Sequence, residues 1–150
     1  MGLRTLFPFA LVLSLSCKPA PLARSTVEYH PMPGGARLPF SAAVRVGPML
    51  YLSGQLGTDS AGKLVPGGIE AETRQALENV RAVVERSGSS MERVVKCTAM
   101  LADMGDWPAM NRTYVTFFPR HLPARSAFGA SGLALGARIE LECWAAAGRD

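Results

Sequence analysis

The 150-residue sequence holds only two histidines, His30 and His121, and three cysteines, Cys17, Cys97 and Cys143. None stands at ligand spacing with another or with a carboxylate, so no metal site is expected. Long apolar runs are also scarce. The clearest, Leu6 to Leu15, is about half of what a bilayer-spanning helix needs, which excludes a permanent span there. Charge is modest, at 19% of residues against 48% hydrophobic, the balance of a folded chain rather than a disordered one. The formal net charge of +4 invites a nucleic-acid reading that its distribution removes. Arg4, Lys18 and Arg24 lie in the first 24 residues, which hold no acid, so the remainder carries 13 basic and 12 acidic side chains. No basic patch with interleaved aromatics appears there, and nucleic acid is not an expected partner. The length suits one domain with a real core.

Two segments precede that domain. Met1 to Ala23 reads as a targeting segment, with Arg4 ahead of the apolar run. The run ends at Leu13-Ser14-Leu15-Ser16-Cys17, which resembles a bacterial lipoprotein box except that serine replaces the usual leucine three places before Cys17. Two outcomes stay open: lipidation of Cys17, or plain secretion with cleavage near Ala20 or Ala23. Either makes the protein exported, periplasmic or membrane-anchored, with membrane contact only through a lipid at Cys17. Residues 24–37 are rich in Pro and Gly and read as a linker, so the folded domain, 38–150, begins near Leu38.

Ala42 to Val46 and Met49 to Ser53 flank Gly47-Pro48, the pattern of two short strands around a tight turn. Ser53-Gly54-Gln55 follows, where a glycine lets backbone approach a bound group closely. After a turn-rich loop, Ala76, Leu77, Val80, Val83 and Val84 recur at three and four from Ile69 onward and predict an amphipathic helix. Glu70 and Glu72 suit its first turn, Arg86 its last, and Gly88 its left-handed cap; Glu70 and Arg74 are spaced to pair. Met91 to Ala102 reads as a strand. Asp106 is spaced as the N-cap of a second helix whose apolar face is Trp107, Met110, Tyr114, Phe117 and Phe118, with Asn111 beside the stripe and Pro119 as terminator.

In the last stretch, His121 to Ala147, Arg125 sits in a strand-forming context after Pro123-Ala124. Arg138, Glu140 and Glu142 alternate with Ile139, Leu141 and Cys143, which puts the charges on one strand face. A guanidinium and a carboxylate are thus carried by two strands joined through the Gly129 to Gly136 turn, a small anion-binding pattern. Glu142 reads as a solvated or interface partner of Arg138. Cys97 and Cys143 both fall in strands and read as small core residues, a bridge between them not being deducible. The element order predicts an α+β fold, a mixed β-sheet with two helices packed on one face. The other sheet face, carrying Leu50-Tyr51-Leu52 and the last strand, is left uncovered, which predicts oligomerisation.

Several ordered motifs are similar to those of the RidA/YjgF family of reactive-intermediate (enamine/imine) deaminases. They are SGQ at Ser53 to Gln55, GKLVxGGIxxxTRQ from Gly62, LENV at Leu77 to Val80, DMxDxxxMNxxYxxFF from Asp103, and PARS with IELE at the end. The resemblance runs from about Leu38 to Ala147. It implies a chorismate-mutase-like fold in a homotrimer, with ligand clefts between subunits and no cofactor. It implies that Arg125 binds the carboxylate of a 2-imino acid, such as 2-iminopropionate from 2-aminoacrylate, and that Glu140 positions the water that attacks the imine carbon. Asn111 and the backbone at Gly54 are further implied contributors. One departure concerns Phe40, which stands where family members often have a tyrosine that reaches the ligand; the lost hydrogen bond is worth roughly 1 kcal/mol. The rival readings are a non-catalytic module of the same fold that binds a small carboxylate at the cell envelope, and a structural trimer with a vestigial cleft.

Overall fold

The computed structural model describes residues 26–35 and 38–148; Cys17 and the targeting segment lie outside them. The first strand, β1 (Val27–His30), lies in the stretch expected to be a linker. It pairs antiparallel with β2 (Ala43–Val46), from Val27 opposite Val46 to His30 opposite Ala43. Val27 and Tyr29 alternate with Glu28 and His30, so a short strand pattern was present, and Pro31 and Pro33 end it. The sheet therefore includes a strand that lies before Leu38, within the expected linker.

β2 turns through Gly47, whose φ of 55° suits glycine, into β3 (Met49–Leu52), and the two-residue strand β4 (Gln55–Leu56) follows. Helix α1 (Gly68–Arg86) buries the expected stripe of Ala76, Leu77, Val80, Val83 and Val84 and ends before Gly88 at φ 79°. Two details differ from expectation. Glu70 pairs across to Arg112 at 2.6 Å rather than along the helix to Arg74. Glu72 turns inward, 6% exposed, and its carboxylate accepts from the Arg138 backbone N–H at 2.8 Å. A 3-10 turn at Met91–Arg93 takes the first residues of the expected strand, leaving β5 (Val94–Leu101).

Helix α2 (Trp107–Tyr114) runs on as a 3-10 turn, Val115–Phe117, before Pro119. Met110, Tyr114, Phe117 and Phe118 are buried, whereas Trp107 is exposed and is not part of that face. Asp106 holds the N-cap position of α2, as expected, but its side chain makes no capping bond. Its carboxylate instead takes a two-pronged bond from the Arg138 guanidinium at 2.8 and 2.9 Å. β6 (Ala124–Gly129) and β7 (Ile139–Ala146) complete a seven-stranded sheet ordered β1-β2-β3-β7-β5-β6, with β4 also on β7. Only β5 and β6 run parallel; every other pair is antiparallel. Ile139, Leu141, Cys143 and Ala145 of β7 point into the single core shared with both helices. The expected mixed sheet with two helices on one face is what forms.

On the face away from the helices, Val27, Tyr29, Tyr51, Phe128 and Trp144 remain exposed. Tyr51 and Trp144 meet edge to face there, ring centres 5.2 Å apart. In the core, Cys97 and Cys143 stand directly opposite in the β5/β7 register and form a disulfide, Cα atoms 4.1 Å apart. They are core residues, as expected, and bonded ones. Facing positions on adjacent strands bring the sulphurs together, which a sequence separation of 46 conceals.

Closing so long a loop stabilises the fold by about 2–4 kcal/mol. Cys143→Ala should lower the urea-unfolding free energy by that order. Thiol titration of the unreduced, unfolded protein should detect neither Cys97 nor Cys143; two reactive thiols there would show the bond is not formed.

Candidate functional site

Arg125 begins the site because of how it is held. In β6 it lies level with Cys97, whose side chain faces the helices, so the guanidinium reaches toward α2 rather than into solvent. Three α2 residues receive it. Asn111 Oδ1 accepts from Nη2 at 2.6 Å, Met110 Sδ lies 3.6 Å from Nη1, and the Tyr114 ring lies beneath the guanidinium carbon at 4.6 Å. The spacing explains the cluster, since positions three apart on a helix share a side. Asn111 is therefore no plain surface amide but the group that orients Arg125. Tyr114 was expected only as core; what could have exposed its second role is its place three residues after Asn111.

The electrostatics favour an anion. Among the described residues Arg81, Arg112, Arg120 and Arg138 each sit against a carboxylate, and none pairs with Arg125. A guanidinium has five N–H donors, and Asn111 and Met110 occupy two, leaving enough for a two-pronged contact with a carboxylate. Burial pushes the Tyr114 hydroxyl up to about 12 even though the Arg125 charge pulls it down, so its ring face is that of a neutral phenol. A neutral π face attracts the cation without neutralising it.

Glu140 belongs to a different surface. In β7 it lies level with Met100, on the face away from the helices, while Ile139 and Leu141 on either side of it are fully buried. Its carboxylate packs on Gly54, where any Cβ would overlap Glu140 Oε1. The close approach expected of Gly54 thus accommodates a protein carboxylate. The Ser53 hydroxyl donates to the Ser41 carbonyl at 2.7 Å, which sets the half-exposed Phe40 next to the same segment. Phe40, Gly54 and Glu140 form one group; Arg125, Asn111 and Tyr114 form another.

The two groups do not meet within a chain. β6 and β7 follow each other in sequence, but β5 lies between them in the sheet, and Arg125 and Glu140 project from opposite faces. The sequence pattern of a guanidinium and a carboxylate delivered together by consecutive strands is corrected by that order. Glu142 also differs from expectation: it accepts from Trp144 Nε1 at 3.1 Å, while Arg138 is engaged by Asp106. Among the described residues no group of three or more His, Cys, Asp or Glu is placed to hold a metal.

The chain is thus a small α+β domain with a helix-held arginine that has no carboxylate partner among the described residues and a carboxylate seated on a glycine. The sequence profile of the family described as Endoribonuclease L-PSP matches residues 32–147, and the chain belongs to that family. It is 44% identical over 111 residues to a 2-iminobutanoate/2-iminopropanoate deaminase of Mus musculus, covering 73% of this chain and 82% of that protein. The crystal structure of RidA from an Antarctic Psychrobacter superposes with a TM-score of 0.70 at 32% identity, covering 83% of this chain and 98% of that one. That of Escherichia coli TdcF with bound serine superposes with a TM-score of 0.70 at 28% identity, covering 81% and 94%.

The buried phenol yields a titration test. Of the three tyrosines, Tyr114 should ionise last, near pH 12, in a phenolate-absorbance titration. A folded pKa raised above the unfolded value near 10 adds stability that is complete below about pH 10 and lost as pH climbs toward 12. Tyr114→Phe should remove the late step and flatten that alkaline loss; an unchanged titration in the variant would contradict the assignment.

Proposed function

We propose that this protein is an imine/enamine deaminase that hydrolyses 2-imino acids to 2-keto acids and ammonia. The observation that carries the reading is the half-buried Arg125 guanidinium, aimed by Asn111 and Tyr114 and lacking a carboxylate partner among the described residues. It holds the substrate carboxylate through parallel N–H bonds, which lysine could not reproduce. Glu140, fixed against Gly54, accepts a hydrogen bond from water and aims its oxygen at the imine carbon. Water adds to C=N to give a carbinolamine, a proton passes to nitrogen, and the C–N bond breaks to release ammonia. The imine is already electrophilic, so positioning and electrostatics carry the chemistry without a cofactor. The deaminase names of the similar proteins support this reading, as does serine bound to TdcF.

The two groups of site residues lie on different surfaces, so the working cleft joins Arg125 of one copy to Glu140, Gly54 and Phe40 of the next. Unlike patches that meet head to tail close into a ring, and the family resemblance supports three copies. The exposed Tyr51, Phe128 and Trp144 on the uncovered sheet face support the same assembly. Phe40 favours a second reading, a module that binds a small carboxylate without turning it over. Export is part of the proposal. Its support is the apolar run before Cys17 and a disulfide of the kind that persists in oxidising compartments.

The test is ammonia release from 2-iminopropionate, generated from alanine by an amino-acid oxidase. Arg125→Ala should lower kcat/KM by about two orders of magnitude and Arg125→Lys by at least tenfold, while Glu140→Gln should act mainly on kcat. Equal rates for wild type and Arg125→Ala would sink the deaminase reading; pyruvate binding lost in Arg125→Ala without any acceleration would favour the binding module. For the assembly and its location, light scattering should give three times the chain mass, and mass spectrometry of membrane and soluble fractions should find a processed or lipid-modified N-terminus. A monomer that turns over imines, or an unprocessed Met1 on all of the protein, would overturn these respective parts.

A further inference from the structure

Strands β3 and β4 both pair with β7, but not in one register. Tyr51 stands opposite Trp144 and Gln55 opposite Leu141, so Leu52, Ser53 and Gly54 fill the span that Glu142 and Cys143 fill on the other strand. The β3–β4 segment thus carries one extra residue, a β-bulge, which takes backbone groups out of the ladder and re-aims the side chains around it. Gly54 lies in that bulge, with the Glu140 carboxylate against its α-carbon.

Three amide side chains hold the segment. Gln55 folds back on the bulge, and its Nε2 donates to the Ser53 carbonyl at 2.9 Å and to the Gly54 carbonyl at 3.1 Å. An amide nitrogen has two N–H donors, and both are used. Beyond the bulge, Asn79 of α1 donates from Nδ2 to the Leu56 and Thr58 carbonyls, each at 2.9 Å, and Gln75 Nε2 donates to Asn79 Oδ1 at 3.0 Å. Asn79 therefore ties β4 to the helix, while Gln55 ties down the two residues on which Glu140 rests.

We propose that Gln55 is a positioning residue for the attacking water: by holding the Ser53 and Gly54 carbonyls it fixes the bulge that seats Glu140, and so the direction in which Glu140 presents its water. The proposal rests on the deaminase reading above. Gln55 lies opposite the buried Leu141, on the sheet face that Glu140 does not occupy, so it acts through the backbone and not on the substrate. Without its donors the Gly54 peptide is free to rotate, and the carboxylate resting on it shifts. A misplacement of about 1 Å can cost about a hundredfold in rate, so a shift of part of that reaches about tenfold. Substrate affinity is set elsewhere, by Arg125 on its own group of residues.

The experiment uses the full chain and the imine made in situ from alanine. Gln55→Met keeps the length of the side chain without its donors, and Gln55→Glu keeps its shape without them. Both should lower kcat about tenfold, leave KM within about twofold, and leave pyruvate binding and the light-scattering mass as in wild type. In a Glu140→Gln background, Gln55→Met should cost less than about twofold more, because the group it acts through is already lost. Unchanged kcat overturns the proposal, as do a KM that rises in step with the fall in kcat, a reduced mass, or losses that multiply in full in the double variant. If wild type accelerates no imine, the deaminase reading fails and the seat is judged by NMR. The Gly54 amide and Glu140 carboxyl-carbon resonances should then move in Gln55→Met while Arg125 Nε stays in place; unmoved Gly54 and Glu140 signals overturn the role of Gln55.

Discussion

Strand β5 lies between the two strands that carry the charged residues, and most of the site's organisation follows from that placement. β6 enters parallel to β5 at the sheet edge and turns Arg125 toward α2, while β7 pairs on the other side of β5 and turns Glu140 to the uncovered face. Six consecutive β7 pairings against Lys96 to Leu101 of β5, with a disulfide among them and a seventh pair beyond an irregularity at Val95, hold the strand against a slip by one residue, which would exchange the buried and open sets. The register is held from outside as well. The buried Glu72 carboxylate of α1 takes the Arg138 backbone N–H, and Asp106 takes the Arg138 guanidinium, so the N-terminal ends of both helices are tied to the residue just before β7. Glu140 is two residues further on. Its position is thus fixed by contacts made on the face opposite to its own.

The Arg125 cluster has a different logic. A guanidinium drawn partly out of water loses hydration that only an anion or well-placed acceptors replace. Asn111 supplies one acceptor and Tyr114 a π face, and both are neutral, so they hold the cation without satisfying it. A carboxylate at the same spot would have formed a closed ion pair, as Asp106 does with Arg138, and left nothing for a ligand.

Local pattern made the helices legible. The stripe from Ala76 to Val84 and the alternation from Ile139 to Cys143 bury as their periods demand, and Gly88 takes the left-handed cap. What single-chain pattern could not carry was strand order. Consecutive strands joined by a glycine-rich turn read as neighbours, and only the inserted β5 shows that they are not. The same blindness to non-local pairing hid the Cys97–Cys143 bond and the transfer of Glu70 and Arg138 to partners on other elements. β1 was missed for another reason: Pro31, Pro33 and two glycines outweighed a four-residue alternation that only a neighbouring strand can stabilise. The site residues were named largely through family resemblance. The spacing of Asn111 and Tyr114 was available, but without β6 beside α2 it had nothing to point at.

A site divided between two surfaces also explains why so little machinery is needed on each. Neither group alone positions both the carboxylate and the attacking water, so a lone chain presents an arginine and a glutamate that share no substrate. In the assembly proposed above, a second copy would supply the missing half and remove bulk water in the same step, which would strengthen the guanidinium's hold on a carboxylate. The open apolar sheet face then has a second consequence beyond stability. Tyr51 of β3, Trp144 of β7 and Phe128 of β6 share that face with Glu140, so a second copy packed there as proposed would also set the spacing between carboxylate and guanidinium across the cleft. On that proposal, loosening the contact would separate the halves before it unfolded either one, which would couple activity to association more tightly than to the stability of the single domain.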